Sequence, residues 1–158
     1  MRRIGITGGI GSGKSVVSRL LRIMGYSVYD TDSEAKRLME SSLEVVQKLS
    51  ECFGRDIYHN GRLNRGLLSS RVFGKSDKIV LLNSIVHPVV RFDFYRWSES
   101  LNEEICFVES AILYESRFDE LVDEVWTVTA PEELRISRVR QRSGLTEEEI
   151  KKLSLIHI

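Results

Sequence analysis

The segment Gly8-Gly9-Ile10-Gly11-Ser12-Gly13-Lys14-Ser15 places four glycines within six residues and then a lysine and a hydroxyl. Glycine weakens a chain unless a left-handed turn or a very close approach to the backbone requires it. The pattern fits G-x-x-x-x-G-K-[ST], in which inward-turned N–H groups surround phosphate oxygens. Residues Gly9, Ile10, Gly11, Ser12, Gly13, Lys14, Ser15 and Val16 are the expected triphosphate-binding set. A helix beginning near Lys14 adds its positive N-terminal dipole. Lys14 is expected on the β- and γ-phosphates, and the Ser15 hydroxyl on Mg²⁺. Average composition yields this match by chance in about half a percent of chains this long. The loop implies a nucleoside triphosphate and leaves open what receives the phosphate.

A guanine-reading N-K-x-D run is absent from the sequence, which argues against a GTPase switch. A small phosphotransferase needs an acceptor-orienting carboxylate at a strand end, a substrate-binding insert and an arginine-bearing lid. Asp30 and Asp32 follow a short apolar run, where a carboxylate can orient a hydroxyl or accept its proton; the alternative use is a helix N-cap. Glu109 ends another apolar run and can hold a metal-bound water, or be a loop acid only. Arg138 and Arg142, at i and i+4, share one helical face and can clamp phosphates as a lid closes, or form a charged helix surface. Arg140 between them points elsewhere and is expected to be solvated.

The elements that must position these groups are readable from periodicity. Ile4 to Thr7 form an apolar run suited to a buried strand. Val17, Leu20, Leu21 and Met24 recur at helical spacing, and Gly25 closes that helix. Tyr26 to Tyr29 read as a second strand, followed by a helix with Ala35, Leu38 and Met39. Residues Leu43 to Trp97 are expected to be mostly helical, with a small hairpin or loop at His59-Asn60-Gly61 and a helix begun or kinked at Pro88. Ile105 to Val108 and Glu124 to Val128 read as further strands, and Arg135 to Arg142 as a basic helix. This pattern is an α/β core with a helical insert between its second and third strands.

Bulk properties narrow the class. The 158 residues suggest one domain, and the net charge of +0 gives no global field toward nucleic acid or membrane. Cys52 and Cys106 lie in no metal-ligand spacing and are expected to be buried free thiols. There is no signal peptide pattern and no apolar run near the roughly 20 residues of a membrane helix. The expected location is cytoplasmic.

Taken together, the motifs resemble those of the dephospho-CoA kinase family, from Ile4 to about Lys151. Thr7 to Ser15 is similar to the family's own version of the phosphate loop. Tyr29-Asp30-Thr31-Asp32 with Ala35 resembles its D-x-D segment, whose second Asp is taken as the catalytic base, which implies Asp32. Phe53-Gly54, Gly61 to Arg65 and Leu67 resemble its insert. Leu82-Asn83-Ser84-Ile85-Val86-His87-Pro88-Val89-Val90-Arg91 is similar to its L-N-x-x-x-H-P-x-x-R signature. Glu109 to Glu115 resemble its third-strand exit. Arg138 and Arg142 with Gly144 to Glu148 resemble its lid.

The resemblance implies a P-loop NTPase fold, a three-layer αβα parallel sheet with insert and lid. Residues 1–40 and 101–134 are the expected core, 41–100 the insert and 135–158 an incomplete lid. It implies transfer of the γ-phosphoryl of ATP to the 3′-hydroxyl of dephospho-CoA, with Mg²⁺ as cofactor. The expected catalytic residues are Asp32, Lys14, Arg138 and Arg142. The expected substrate-binding residues are Asp32, Arg65, His87, Arg91 and Glu109. For His87 the alternative is capping a helix whose first turn holds Pro88, and for Arg65 a solvated surface position. ATP and dephospho-CoA are the expected partners, with no nucleic acid or membrane, and a monomer or weak homo-oligomer as the assembly. The other readings are a P-loop kinase with another small-molecule acceptor, and a nucleotide-binding protein without turnover. Lys36 stands where members commonly carry an arginine, with Arg37 beside it. Leu153 to Ile158 do not resemble the lid's second helix, and members are expected to continue for about 40 residues more. An open sheet edge and weak ATP binding are the expected consequences.

Overall fold

The computed structural model describes residues 1–144 together with Thr146, Glu148 and Ile150. The chain forms two compact units. One contains Met1–Asp30 and the described residues from Ser100 onward; the other is Thr31–Glu99.

The first unit is built on a parallel sheet. Its strands are β1 (Arg2–Thr7) and β2 (Ser27–Asp30), then β5 (Ile105–Glu109) and β6 (Glu124–Thr127). Their order is β2-β5-β1-β6, so β1 is central, with β2 reached on one side and β6 on the other. Helix α1 (Lys14–Ile23) links β1 to β2, and α6 (Glu132–Ser143) follows β6. The apolar run of β1 is explained by burial on both faces. Ile4, Ile6, Leu21 and Phe107 form a core cluster, joined by Val17 and Val28. On β1 a Cβ at Gly5 would lie 2.6 Å from Cδ1 of the buried Leu113, so glycine there admits that side chain.

Register levels one edge of the sheet. Ile6 pairs with Glu109, and Glu109 pairs in turn with Asp30. The carboxyl ends of β1, β5 and β2 therefore lie level, and in open α/β sheets ligands bind at that edge. The Val128 N–H donates to the Thr7 carbonyl at 2.8 Å, which extends the β1–β6 ladder to the foot of the glycine loop.

The second unit contains α2 (Thr31–Ser41), α3 (Leu43–Phe53), the two-residue strands β3 (Tyr58–His59) and β4 (Arg62–Leu63), α4 (Arg65–Val72) and α5 (Ser76–Ser100), whose last residue belongs to the first unit. The stripe Val45, Leu49 and Phe53 is buried on α3. Cys52, expected buried, is exposed, because the helix twist carries it to the flank of that stripe; Cys106 is buried, and both thiols are free. The β3–β4 hairpin turns at Asn60 (φ 50°) and Gly61 (φ 76°), the two positive-φ positions a tight hairpin demands.

Pro88 does not begin a helix: it lies inside the 25-residue α5. Proline removes the hydrogen bond to the carbonyl four residues earlier, that of Ser84. Both Ser84 and Pro88 are exposed, so water can serve the released carbonyl. The expected lid beyond α6, at Leu145, Glu147, Glu149 and 151–158, lies outside the described residues.

Candidate active site

The glycine loop occupies the turn between β1 and α1. Its backbone takes the left-handed values that only glycine adopts freely: Gly11 at φ 75° and Gly13 at φ 107°, the latter capping α1. A Cβ at Gly8 (φ 148°) would fall 2.2 Å from the Val128 carbonyl oxygen. The Gly13 carbonyl accepts from the Val16 and Val17 N–H groups at 2.9 and 3.2 Å, which starts α1 at the loop's end. Lys14 and Ser15 consequently stand in the first helical turn.

The loop's carbonyl oxygens are met by cations. Lys14 Nζ donates to the Gly8 and Gly9 carbonyls at 2.5 and 3.3 Å. Arg138 Nη1 donates to those of Gly11 and Ser12 at 3.3 and 3.4 Å. Arg135 Nε donates to that of Ile10 at 3.1 Å. The structure thus brings Arg138 to the loop. Arg142 is exposed in the last turn of α6. Arg135 is a site residue that sequence reasoning missed. The available signal was the i, i+3, i+7 spacing of Arg135, Arg138 and Arg142, which puts all three on one helical face.

Glu109 and Asp30 hold paired register positions at the same sheet edge. Ser15 is exposed, while Ser12 Oγ is buried with no hydrogen-bond partner among the described residues. Hydroxyls and carboxylates are hard oxygen donors suited to Mg²⁺, which keeps several waters and takes few protein ligands. No group of three or more His, Cys, Asp or Glu side chains suited to a metal occurs among the described residues. The donors present therefore fit an ion held largely by phosphates and water, and do not form an all-protein cage.

The second unit carries the remaining expected residues. Asp32 is exposed in the first turn of α2, where the helix dipole favours a carboxylate. Arg65 is the first residue of α4, next to its cap, Asn64, whose Oδ1 accepts from the Leu67 N–H at 3.0 Å. Arg65 Nη2 reaches Glu40 Oε1 at 3.2 Å. Both side chains are exposed, so the pair is weak and an anionic ligand can displace it. His87 and Arg91 lie one turn apart within α5, which removes the helix-capping alternative for His87. Burial, and then the Arg91 charge, hold the His87 imidazole below its ordinary value. At neutral pH, Arg91 is the cation of this pair and His87 a neutral hydrogen-bonding group.

The fold and residues agree with known proteins. The chain matches the family model described as dephospho-CoA kinase over residues 2–156. It is 45% identical to "Dephospho-CoA kinase" of Porphyromonas gingivalis over 155 residues, covering 98% of this chain and 77% of that protein. The solved structure of TT1252 from Thermus thermophilus superposes with a TM-score of 0.83 at 36% identity, over 99% of this chain and 80% of that one. Dephospho-CoA kinase from Campylobacter jejuni, at 23% identity and TM-score 0.69, shares the fold over 96% of this chain and 78% of its own. With its phosphate loop, its parallel sheet and a family match along almost its whole length, the chain belongs to the dephospho-CoA kinase family.

Proposed function

We propose that this kinase transfers the γ-phosphoryl group of ATP to the 3′-hydroxyl of the dephospho-CoA ribose, giving coenzyme A and ADP. The observation that carries the reading is the loop itself. Its carbonyls are tied to the cations Lys14, Arg135 and Arg138, and it stands beside the level carboxyl ends of β5 and β2.

In this mechanism the ribose oxygen attacks the γ-phosphorus in line, and the bond to the β,γ-bridging oxygen breaks. Asp32 orients the hydroxyl and accepts its proton. Lys14 exchanges its loop carbonyls for the β- and γ-phosphate oxygens. Arg138 and Arg142 offset charge on the transferring group. Ser15 would hold Mg²⁺, with Glu109 on a coordinated water or on the acceptor. Once bound, that ion neutralises charge on the β- and γ-phosphates. Arg65, His87 and Arg91 would receive the phosphates and ribose of dephospho-CoA. Residues 1–40 and 101–134 act as the nucleotide core, 41–100 as the acceptor-binding insert and 135–158 as lid. Most of the acceleration is positioning and charge neutralisation.

The test is a product assay with ATP, Mg²⁺ and dephospho-CoA, read by mass spectrometry for one added phosphate. Coenzyme A should form, and Asp32→Asn should lower kcat by about 10²- to 10⁴-fold. Phosphate added to another acceptor in a panel, and none to dephospho-CoA, would overturn the assignment of the acceptor.

A further inference from the structure

We propose that Arg135, in the second turn of α6, is a positioning residue for the nucleotide: it holds the Gly9–Ile10 segment so that the loop's N–H groups stay turned toward phosphate. The inference rests on the nucleotide reading of the loop.

In a trans peptide the carbonyl of one residue and the N–H of the next point in opposite directions. A cation that fixes the carbonyl on one side of the loop therefore aims the following N–H to the other. Arg135 Nε donates to the Ile10 carbonyl at 3.1 Å, which orients the N–H of Gly11. Gly11 takes the left-handed backbone, φ 75°, and a Cβ there would lie 2.6 Å from the Arg135 carbonyl oxygen. Helix α6 thus grips the loop with both backbone and guanidinium.

Gly9 supplies a second observation. No left-handed φ explains a glycine there. The three atoms nearest a Cβ at Gly9 all belong to the Arg135 guanidinium: Nη2 at 2.8 Å, Cζ at 3.1 Å and Nη1 at 3.5 Å. The guanidinium lies across Gly9, and a side chain there would have to push it aside. Lys14 and Arg138 also hold loop carbonyls, but the mechanism sends both to the phosphates. Arg135 is the cation of this set whose partner remains the loop throughout.

The test is titration of a fluorescent ATP analogue with Mg²⁺ into the unsubstituted chain and into four variants, with melting curves and steady-state kinetics beside it. Arg135→Ala should weaken nucleotide binding about tenfold and raise the KM for ATP by a similar factor. The KM for the acceptor should stay within about twofold, since Arg135 acts on the loop that holds the nucleotide. Arg135→Lys should recover only part of the loss, because an ammonium lacks the planar fork. Gly9→Ala should imitate Arg135→Ala by pushing the guanidinium aside. The double variant Gly9→Ala/Arg135→Ala should be no weaker than Arg135→Ala alone, because residues in contact are not additive. Arg135→Ala that melts lower yet binds nucleotide like the unsubstituted chain would show a structural role only, and overturns the inference. So would penalties of Gly9→Ala and Arg135→Ala that add in full. If the unsubstituted chain binds no nucleotide, the reading of the loop fails, and the inference with it.

Discussion

At the residue scale, each glycine of the loop has its own reason. Gly13 supplies a left-handed cap for α1, Gly11 admits the backbone of α6, and Gly8 admits a carbonyl of the segment after β6. Gly8→Ala is the sharpest check. Its Cβ would meet the Val128 carbonyl oxygen at 2.2 Å, and that atom is backbone, not the movable end of a side chain. Positive φ adds strain of about 1–3 kcal/mol. The melting temperature should fall on the order of 10 °C, with nucleotide binding lost at temperatures where the variant is still folded. A variant that binds ATP normally would mean the loop tolerates a different path. These roles were only partly legible in the sequence. The motif marks which residues are glycine, whereas what each glycine makes room for is a matter of tertiary contact.

At the element scale, the helical insert shows where local patterns suffice and where they do not. The turn at Asn60-Gly61 was legible because its chemistry is local. Whether a helix begins at Pro88 or runs through it was not, because the decisive fact is exposure of Ser84 and Pro88. Tyr58, at the start of the hairpin, is a reporter for this unit. Its hydroxyl donates to the Met39 carbonyl at 2.6 Å, which ties the hairpin to α2. Burial, helped by the Glu40 charge, pushes its phenol up to about 12. The folded value lies above the ordinary 10, so the neutral phenol stabilises the unit. That contribution is fully present below pH 10 and is lost as pH rises toward 12. Absorbance titration near 295 nm should show a late tyrosine component that is missing in Tyr58→Phe. The variant should also flatten the loss of stability between pH 10 and 12. A Tyr58 that titrates with the exposed tyrosines would remove the link between hairpin and helix.

At the scale of the whole molecule, a net charge of +0 gives the chain no general attraction for anions, so nucleotide binding must come from local geometry. Mg²⁺ with a non-hydrolysable ATP analogue should therefore stabilise the fold specifically. At a hundredfold excess over the dissociation constant, linkage adds about 2.7 kcal/mol. For a chain of this size that is about 5–10 °C in melting temperature. Lys14→Ala should abolish most of the shift, and an equal shift in the variant would place binding outside the loop. The sequence by itself determined the phosphate loop, the alternation of strands and helices and the candidate carboxylates, because each is written in residue types at short, regular spacing. Only the tertiary structure decided that β5 lies between β1 and β2, since that pairing joins segments separated by the whole insert. Long-range packing also decided the level of Asp30 with Glu109, the exposure of Cys52 and the grip of Arg135 on the loop. Each depends on which distant surface a residue meets, and no local spacing encodes that.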